Sequence, residues 1–159
     1  MSAISIFGLG YVGAVSLACL AENGHKVIGV DVNPLKADII NEERSPIIEH
    51  GLEEMIGKGV ASGAIRAVMD FHEAVHNTDI SFISVGTPSN GNGSLDLKYV
   101  EKVAREIGKA LADKNAYHVV ILRSTVLPGT TEELLIPILE QESGKKCVAD
   151  FGYSHQGFL

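Results

Sequence analysis

The fold of this chain is decided near its start, by the stretch Ile4-Ser5-Ile6-Phe7-Gly8-Leu9-Gly10-Tyr11-Val12-Gly13-Ala14-Val15. Its β-branched and aromatic run predicts a strand, and the breaker-free segment that continues to Asn23-Gly24 predicts a helix. Three glycines lie between them in a Gly-x-Gly-x-x-Gly spacing. Gly8 allows a tight turn, Gly10 lets a ligand approach the backbone closely, and Gly13 lets the helix pack on the strand. Unpaired amide hydrogens and the helix dipole then favour an anion at the start of the helix. The stretch therefore predicts a site for a pyrophosphate.

A carboxylate at the end of the second predicted strand supports this interpretation. The run Lys26-Val27-Ile28-Gly29-Val30-Asp31 follows the helix, and Asp31 comes 18 residues after Gly13. A carboxylate at this position accepts hydrogen bonds from the ribose hydroxyls of a dinucleotide. No arginine adjoins Asp31 to hold a 2′-phosphate, so NAD is favoured over NADP. The alternative is a turn whose glycines serve packing alone. It is disfavoured because strand, glycines, helix, second strand and acid all occur in the order and spacing of a dinucleotide site.

Length and composition indicate one globular domain. The chain has 159 residues, 45% hydrophobic and 21% charged, which suffices for a core without disulfides or metals. No apolar run approaches the roughly 20 residues of a membrane span. Met1-Ser2-Ala3 leads into a strand without a basic signal region, so we expect a cytoplasmic protein with no membrane partner. A net charge of −7 opposes contacts to phosphate backbones, so we expect no nucleic-acid partner.

The cysteines and histidines form no motif that demands a metal or a reactive thiol. Cys19 falls in a predicted helix and Cys147 in a predicted strand, and we expect both to be buried and inert. His72 and His76 stand four residues apart on a predicted helix, a spacing that can hold a metal. A solvated helix face is the favoured alternative, and no metal is expected.

The rest of the chain alternates predicted strands and helices. Strands are predicted at residues 65–68, 79–85, 118–122 and 147–150, and helices at 34–43, 52–58, 71–76, 96–113 and 130–142. The helix at 71–76 has Asp70 as its predicted cap, and Pro137 should interrupt the last one. This alternation predicts an α/β fold with a Rossmann-like, doubly wound parallel sheet in a single domain.

Two polar residues beside predicted strand ends are candidate ligand contacts. Thr87 follows the strand at 79–85, and sheets of this kind bind ligands at the carboxyl ends of their strands. Lys36 lies in the first turn of the helix that Pro34 begins, close to Asp31 in the sequence. It is either an ordinary surface lysine or a cation directed at the ribose or a phosphate, and its position leaves both open.

Several motifs, taken together and in this order, resemble the N-terminal domain of the UDP-glucose/GDP-mannose dehydrogenase family. They span nearly the whole chain, which makes the set far more specific than any one member. The motifs are Gly8-Leu9-Gly10-Tyr11-Val12-Gly13, Val30-Asp31, Ser45-Pro46-Ile47-Ile48-Glu49, Val85-Gly86-Thr87-Pro88, Leu95-Asp96-Leu97 and Arg123-Ser124-Thr125-Val126-Leu127-Pro128-Gly129-Thr130.

The resemblance implies an activity and a role for each site residue. Enzymes of this family oxidise the C6 hydroxyl of GDP-mannose or UDP-glucose to a carboxylate with two NAD, through a cysteine-bound thiohemiacetal and thioester. By resemblance, Tyr11 and Val12 contact the pyrophosphate through their backbone, and Asp31 and Lys36 bind the ribose. Thr87 and Thr125 contact the nicotinamide, and Thr125 also orders a catalytic water.

The sequence also departs from the family pattern. Members of the family usually have a proline directly after the glutamate of this motif. This chain has His50 there, in Glu49-His50-Gly51-Leu52, which predicts a less rigid loop. The usual Asn-Pro-Glu-Phe-Leu segment reads His155-Gln156-Gly157-Phe158-Leu159, and Gly157 has no side chain for acid–base catalysis. Neither Cys19 nor Cys147 has the Gly-Gly-x-Cys context of the family nucleophile. We therefore predict an NAD-binding domain at residues 1–150 and a truncated exit segment at 151–159.

These departures predict a chain that holds NAD without completing the oxidation by itself. The nucleotide sugar is expected to bind only with a missing sugar-nucleotide half, and the face exposed by its absence is expected to favour self-association. The alternative is a stand-alone, non-catalytic NAD-binding module. A hydroxyacid or phosphogluconate dehydrogenase with the same cofactor fold is disfavoured by the motif at residues 123–130.

Overall fold

The computed structural model describes residues 1–155, which are built around a six-stranded parallel sheet. Its strands, in chain order, are β1 (Ala3–Phe7), β2 (Lys26–Val30), β3 (Ile65–Val68), β4 (Ile80–Ile83), β5 (His118–Leu122) and β6 (Phe151–His155). Their order across the sheet is β3-β2-β1-β4-β5-β6, and every pair is parallel. The predicted doubly wound, Rossmann-like sheet is confirmed.

The register brings the ends of three strands to one edge of the sheet. Phe7, the last residue of β1, pairs with Val30 of β2 on one side and with Ile83 of β4 on the other. From β1 the chain proceeds to β2 and β3 on one side and then to β4, β5 and β6 on the other, so the switch point, where sheets of this kind bind ligands, lies between β1 and β4. The turn after Phe7, the carboxylate after Val30 and the loop after Ile83 therefore lie next to one another.

Helices connect the strands and cover both faces of the sheet. They are α1 (Tyr11–Glu22), α2 (Pro34–Asn41), α3 (Leu52–Ala61), α4 (Phe71–His76), α5 (Lys98–Ala112) and α6 (Ile136–Ser143), the last preceded by a π-helical turn (Thr131–Leu135). Asp70 caps α4 as predicted, by accepting from the amides of His72 and Glu73. Pro137 interrupts the last helix as predicted, since the change from π to α geometry occurs just before it.

Two apolar clusters, one on each face of the sheet, form the core. Successive residues of a strand point to opposite faces, so Ile6 packs in one cluster with Leu17 of α1, and Phe7 packs in the other. All three side chains are fully buried. The two faces hold the backbone of β1 in place on both sides, which fixes the position of the turn that follows it.

The sixth strand was predicted in the wrong place. Residues 147–150 form a turn instead, because Val148 has a φ of 72° and the amide of Asp150 donates to the carbonyl of Lys146. The strand is Phe151–His155, and its first side chain is fully buried against the sheet. The sheet thus extends past the 1–150 range assigned to the domain. The prediction about Gly157 lies outside the described residues.

The burial predicted for the cysteines is also corrected. Cys19 is exposed, because α1 buries the face that carries Gly13, Ala14 and Leu17 and turns Cys19 away from the sheet. Cys147 lies in the turn before β6 rather than in a strand, and it is half-buried. Partial burial raises the pKa of the Cys147 thiol, which disfavours the thiolate.

Within residues 1–155, no helix has both the length and the apolar character that crossing a membrane requires.

Candidate functional site

The turn between β1 and α1 is built from backbone that leaves no room for side chains at two of its glycines. Gly8 has a φ of 100°, and a Cβ there would lie 2.7 Å from the carbonyl oxygen of Ser84. A Cβ at Gly13 would lie 1.8 Å from the carbonyl oxygen of Gly8. At Gly10, by contrast, no described atom lies within 4 Å of the Cβ position. Gly8 and Gly13 therefore shape the turn, and Gly10 borders open space.

The start of α1 faces that open space with bare amides. The helix begins at Tyr11, and its N-cap residue, Gly10, has no side chain to cap it. Its first intrahelical bond runs from the amide of Ala14 to the carbonyl of Gly10, so the amides of Tyr11 and Val12 have no helical acceptor. The positive end of the helix dipole adds to these donors. This corner is suited to an anion such as a diphosphate.

Asp31 is held at the tip of β2 by three hydrogen bonds. Its Oδ2 accepts from the amide of Leu9 over 2.8 Å and from the Nζ of Lys36 over 3.3 Å, and its Oδ1 accepts from the amide of Asn33 over 2.9 Å. The residue is only 9% exposed. A carboxylate has about four lone-pair sites and three are occupied, so capacity remains on Oδ1 for one ribose hydroxyl. The contact with Leu9 fixes this carboxylate against the glycine turn.

An apolar cavity of about 120 Å³ lies beside Asp31. Residues from three strand ends and from α4 and α5 line it, namely Phe7, Gly8, Val30, Asp31, Val32, Phe71, Val85, Tyr99, Lys102 and Val103. Aromatic and branched side chains at this point suit the flat face of a purine. Sequence reasoning missed Phe71 and Tyr99, since neither belongs to a motif and only the fold brings them to Asp31.

A second cleft, of about 260 Å³, joins the start of α1 to the ends of β4 and β5. It is lined by Gly10, Tyr11, Val12, Ser84, Val85, Gly86, Thr87, Arg123, Ser124 and Thr125. Two hydrogen bonds hold its far side together. Thr87 Oγ1 donates to the carbonyl of Thr125 over 2.6 Å, and Ser124 Oγ donates to the carbonyl of Val85 over 2.7 Å. The structure thus brings the residues predicted for the pyrophosphate and for the nicotinamide into one cleft.

Two polar groups of this cleft were missed by the sequence analysis. The Nε of Arg123 and the Oγ of Ser84 are buried, and neither has a hydrogen-bond partner among residues 1–155. Buried polar groups are nearly always paired, so the two unpaired ones distinguish this cleft. Arg123 begins the family motif at residues 123–130 and Ser84 lies within the predicted strand at 79–85, but neither position shows in the sequence that a polar group there is unpaired.

Glu49, which the family resemblance had marked, contacts the start of α1 through a side chain. The hydroxyl of Tyr11 donates to Glu49 Oε2 over 2.7 Å. Because the carboxylate accepts this hydrogen bond, it raises the pKa of the Tyr11 hydroxyl. The contact connects the loop before α3 to the edge of the cleft. It leaves the amide of Tyr11 available for a ligand.

Sequence comparisons place the chain in a known family. A sequence profile of the UDP-glucose/GDP-mannose dehydrogenase family, NAD binding domain, matches residues 2–156. The GDP-mannose 6-dehydrogenases of Pseudomonas syringae pv. tomato and Pseudomonas aeruginosa are 58% and 55% identical over 149 residues, which are 94% of this chain and 34% of each relative. The UDP-glucose 6-dehydrogenase of Haloferax volcanii is 39% identical over 90% of this chain and 33% of its own length.

Solved structures give the same result. A ternary complex of GDP-mannose dehydrogenase from Pseudomonas aeruginosa superposes with a TM-score of 0.96 at 52% identity, over 98% of this chain and 36% of the other. A UDP-glucose dehydrogenase from Pyrobaculum islandicum gives 0.92 at 42% identity, over 100% of this chain and 36% of the other. The chain spans about a third of the length of the curated relatives it matches. It belongs to the UDP-glucose/GDP-mannose dehydrogenase family, whose NAD binding domain it matches over nearly its whole length.

Proposed function

We propose that the chain binds NAD along the two cavities described above. The pyrophosphate lies on the amides of Tyr11 and Val12, past the open side of Gly10. The adenosine ribose binds Asp31 and Lys36, with the adenine in the adjoining apolar cavity. The nicotinamide extends toward Thr87 and Thr125. The single observation that carries the proposal is the continuous cleft from the start of α1 to the ends of β4 and β5.

The carboxylate of Asp31 makes NAD the preferred dinucleotide. Its position against the glycine turn puts a negative charge where NADP carries its 2′-phosphate. Lys36 pairs with the same carboxylate, so Asp31 offsets part of the charge that the lysine presents to that phosphate. A ribose hydroxyl, in contrast, donates to the carboxylate as its existing partners do.

The NAD held here serves, in our proposal, as hydride acceptor in the oxidation of a nucleotide sugar. GDP-mannose is favoured over UDP-glucose, because the GDP-mannose 6-dehydrogenases reach 54–58% identity and the UDP-glucose 6-dehydrogenases 39–42%. Thr125 lines the nicotinamide end of the cleft, which suits the water-ordering role that the resemblance implies. The chain supplies the cofactor side of this reaction, and the sugar nucleotide requires residues outside the matched third.

Two further predictions follow from the same proposal. An NAD-dependent reaction on nucleotide sugars uses the cytoplasmic cofactor pool, so we place the protein there. Self-association through the face that meets the sugar-nucleotide part in relatives stays a prediction, which sedimentation of the chain at several concentrations tests.

Calorimetric titration of the chain with NAD, NADP, GDP-mannose and UDP-glucose tests the cofactor site. We expect one NAD per chain and NADP weaker by at least about tenfold, since the carboxylate of Asp31 repels the 2′-phosphate. Asp31→Asn should reduce the difference in affinity between NAD and NADP. Asp38→Asn, on the exposed side of α2, is the matched control and should leave that difference unchanged. Absence of NAD binding at millimolar concentration, or equal affinity for NADP, contradicts the proposal.

The reaction is tested by supplying what the matched third lacks. A separate polypeptide with the remaining two-thirds of the Pseudomonas aeruginosa relative is added, and NADH fluorescence is followed with each nucleotide sugar. NADH formed with GDP-mannose supports the dehydrogenase assignment. NAD binding without NADH from either sugar, when the two polypeptides demonstrably associate, favours the stand-alone NAD-binding module.

A further inference from the structure

Three side chains from two helices meet outside the nucleotide cleft. His72 and His76 stand on successive turns of α4, and Asp113 is the residue at the end of α5. The Nε2 of His72 lies 3.1 Å from each oxygen of Asp113, and the Nε2 of His76 lies 2.9 Å from Oδ1. The two imidazole rings stack, with centroids 4.1 Å apart and planes 14° apart. Both rings therefore direct the same ring nitrogen at one carboxylate.

The spacing of these atoms fits a metal ion. One ligand atom from each of the three residues can be chosen so that all lie within 4.8 Å of one another. Zinc binds imidazole nitrogen and carboxylate oxygen at about 2.0–2.2 Å, which places neighbouring ligand atoms of a tetrahedral site about 3.3 Å apart. The observed nitrogen–oxygen distances are slightly shorter than this value, and the two stacked rings must turn so that both Nε2 lone pairs point at one ion. We propose that His72, His76 and Asp113 bind a divalent transition-metal ion such as zinc.

The donor set and its exposure define the class of ion. Two imidazoles and one carboxylate suit zinc and its neighbours in the first transition row, and disfavour magnesium and calcium, which take oxygen ligands. The side chains of His72 and Asp113 are 55% and 64% exposed, so an ion reaches them directly from solvent. Three protein ligands leave a fourth position for water.

Binding replaces hydrogen with metal at both rings. Among residues 1–155, the Nε2 of His72 faces the carboxylate oxygens of Asp113, and the Nε2 of His76 faces Asp113 and the carbonyl oxygen of Ala110. Both nitrogens face acceptors, so each carries a hydrogen in the metal-free protein. Metal binding requires the other neutral tautomer, in which the single ring hydrogen has moved from Nε2 to Nδ1 and Nε2 offers its lone pair to the ion.

The site is independent of the cofactor. The chain leaves α4 toward the first residue of β4, and it leaves α5 toward the first residue of β5. His76 and Asp113 therefore lie near the amino edge of the parallel sheet, and the NAD cleft lies at the carboxyl edge. An ion here would join the ends of α4 and α5, which already pack together. The sequence showed the spacing of the two histidines, but Asp113 lies 37 residues after His76 and joins them only in the fold.

Zinc titration of the metal-stripped chain tests this proposal, by calorimetry and by competition with a chromophoric chelator. We expect one zinc per chain and a Tm that rises with zinc concentration, since the ion binds the folded state. His72→Gln, His76→Gln and Asp113→Asn should each weaken zinc at least about tenfold, because each removes one ligand. His50→Gln, which removes an exposed histidine elsewhere, should leave zinc affinity unchanged.

A second readout separates the site from adventitious binding. Cobalt(II) in a tetrahedral site with nitrogen and oxygen ligands gives visible absorption bands, which should appear with one cobalt per chain and vanish in His76→Gln. Circular dichroism in chelator verifies that each variant is folded. The proposal is overturned if zinc fails to saturate at one per chain, or if the three ligand variants bind it as tightly as His50→Gln does.

Discussion

The hydroxyl of Thr87 donates a hydrogen bond to the main-chain carbonyl of Thr125 over 2.6 Å. Thr87 belongs to the loop after β4 and Thr125 to the loop after β5, so this bond joins two strand-end loops on one side of the cleft. Because the acceptor is backbone, the bond depends on the side chain of Thr87 and not on that of Thr125. The two threonines therefore have separable roles.

Replacing Thr87 should loosen the nicotinamide end of the cleft. Thr87→Val keeps the shape and removes the donor, and we expect NAD to bind about fivefold more weakly, the equivalent of about 1 kcal/mol for one hydrogen bond. Thr87→Ser keeps the donor and should bind as the parent does. Calorimetric titration measures the NAD affinity of both variants. An unchanged affinity in Thr87→Val would show that other contacts hold the loops after β4 and β5 together.

Two glycines of the turn should respond in opposite ways to substitution. A side chain at Gly10 meets open space in the protein, so Gly10→Val should keep nearly the parent Tm and lose NAD binding, because it fills the pyrophosphate position. A side chain at Gly13 meets the carbonyl of Gly8, so Gly13→Ala should lower the free energy of unfolding by at least about 3 kcal/mol. Thermal melts and NAD titration distinguish the two, and NAD binding by Gly10→Val would place the pyrophosphate elsewhere.

Asp31 should contribute both to the fold and to NAD affinity. Asp31→Ala removes the acceptor of the Leu9 amide as well as the proposed ribose ligand, so we expect a loss of about 1–3 kcal/mol in stability and a similar loss in NAD binding. Lys36→Met leaves the carboxylate in place and should cost less in both measurements. Urea unfolding and calorimetry measure the two terms separately. Parent-like NAD affinity in Asp31→Ala argues against the ribose role.

The local part of the site was predictable because its determinants are close in sequence. The turn after β1 requires glycine at Gly8 for its φ of 100° and at Gly13 because a Cβ there would meet the carbonyl of Gly8, and both requirements act within six residues. Asp31 is placed by the end of the next strand, which the apolar run also indicates. Strand, turn, helix and acid therefore follow from short-range pattern, and the structure confirms their arrangement.

The rest depends on contacts between residues far apart in the chain. The position of β6 is set by Phe151, which packs against the sheet, and the short apolar run at 147–150 carries no sign that Val148 adopts a positive φ. The unpaired Nε of Arg123 and the apolar wall at Tyr99 become meaningful only when β4, β5 and α5 meet. A single sequence gives the residue type at each of these positions but not which residues lie next to it in the fold.

Tyr11 offers a test of whether the backbone or the side chain contacts NAD. Its hydroxyl donates to Glu49, and its amide stands at the start of α1. If the amide alone holds the pyrophosphate, Tyr11→Phe should change the NAD dissociation constant by less than about twofold, which is under 0.5 kcal/mol. Tyr99→Phe in the apolar cavity serves as a matched hydroxyl deletion. A tenfold loss in Tyr11→Phe would make the phenol, or its contact with Glu49, part of the site.

A buried polar network at the amino edge of the sheet should make stability depend on pH. His118 is fully buried, its Nε2 lies 2.7 Å from Ser81 Oγ, and its Nδ1 lies 2.9 Å from the Nζ of Lys114. Burial, and next the positive charge of Lys114, lower the pKa of His118 from 6.5 to about 4, although Asp79 and the Thr78 carbonyl act in the opposite direction. Burial also lowers the pKa of Lys114.

The sign of the effect follows from which state binds the proton. Between the unfolded pKa of 6.5 and the folded pKa of about 4, the unfolded chain binds a proton at His118 and the folded chain does not. Stability is therefore fully present above the unfolded pKa and declines as the pH falls toward the folded one. From about pH 7.5 to about pH 5, this histidine alone should lower the free energy of unfolding by about 2 kcal/mol.

Urea unfolding at these two pH values measures the loss, and a variant isolates the contribution of His118. His118→Gln removes the titrating group, so its loss of stability on acidification should be smaller than that of the parent by about 2 kcal/mol. His50→Gln removes an exposed histidine and should follow the parent. Where His118→Gln is too unstable to measure, Lys114→Met serves instead, because removal of the lysine charge raises the pKa of His118 and should reduce the same slope. Equal slopes in the parent and in these variants would show that His118 has the same pKa in the folded and unfolded states, and that other groups account for the acid sensitivity.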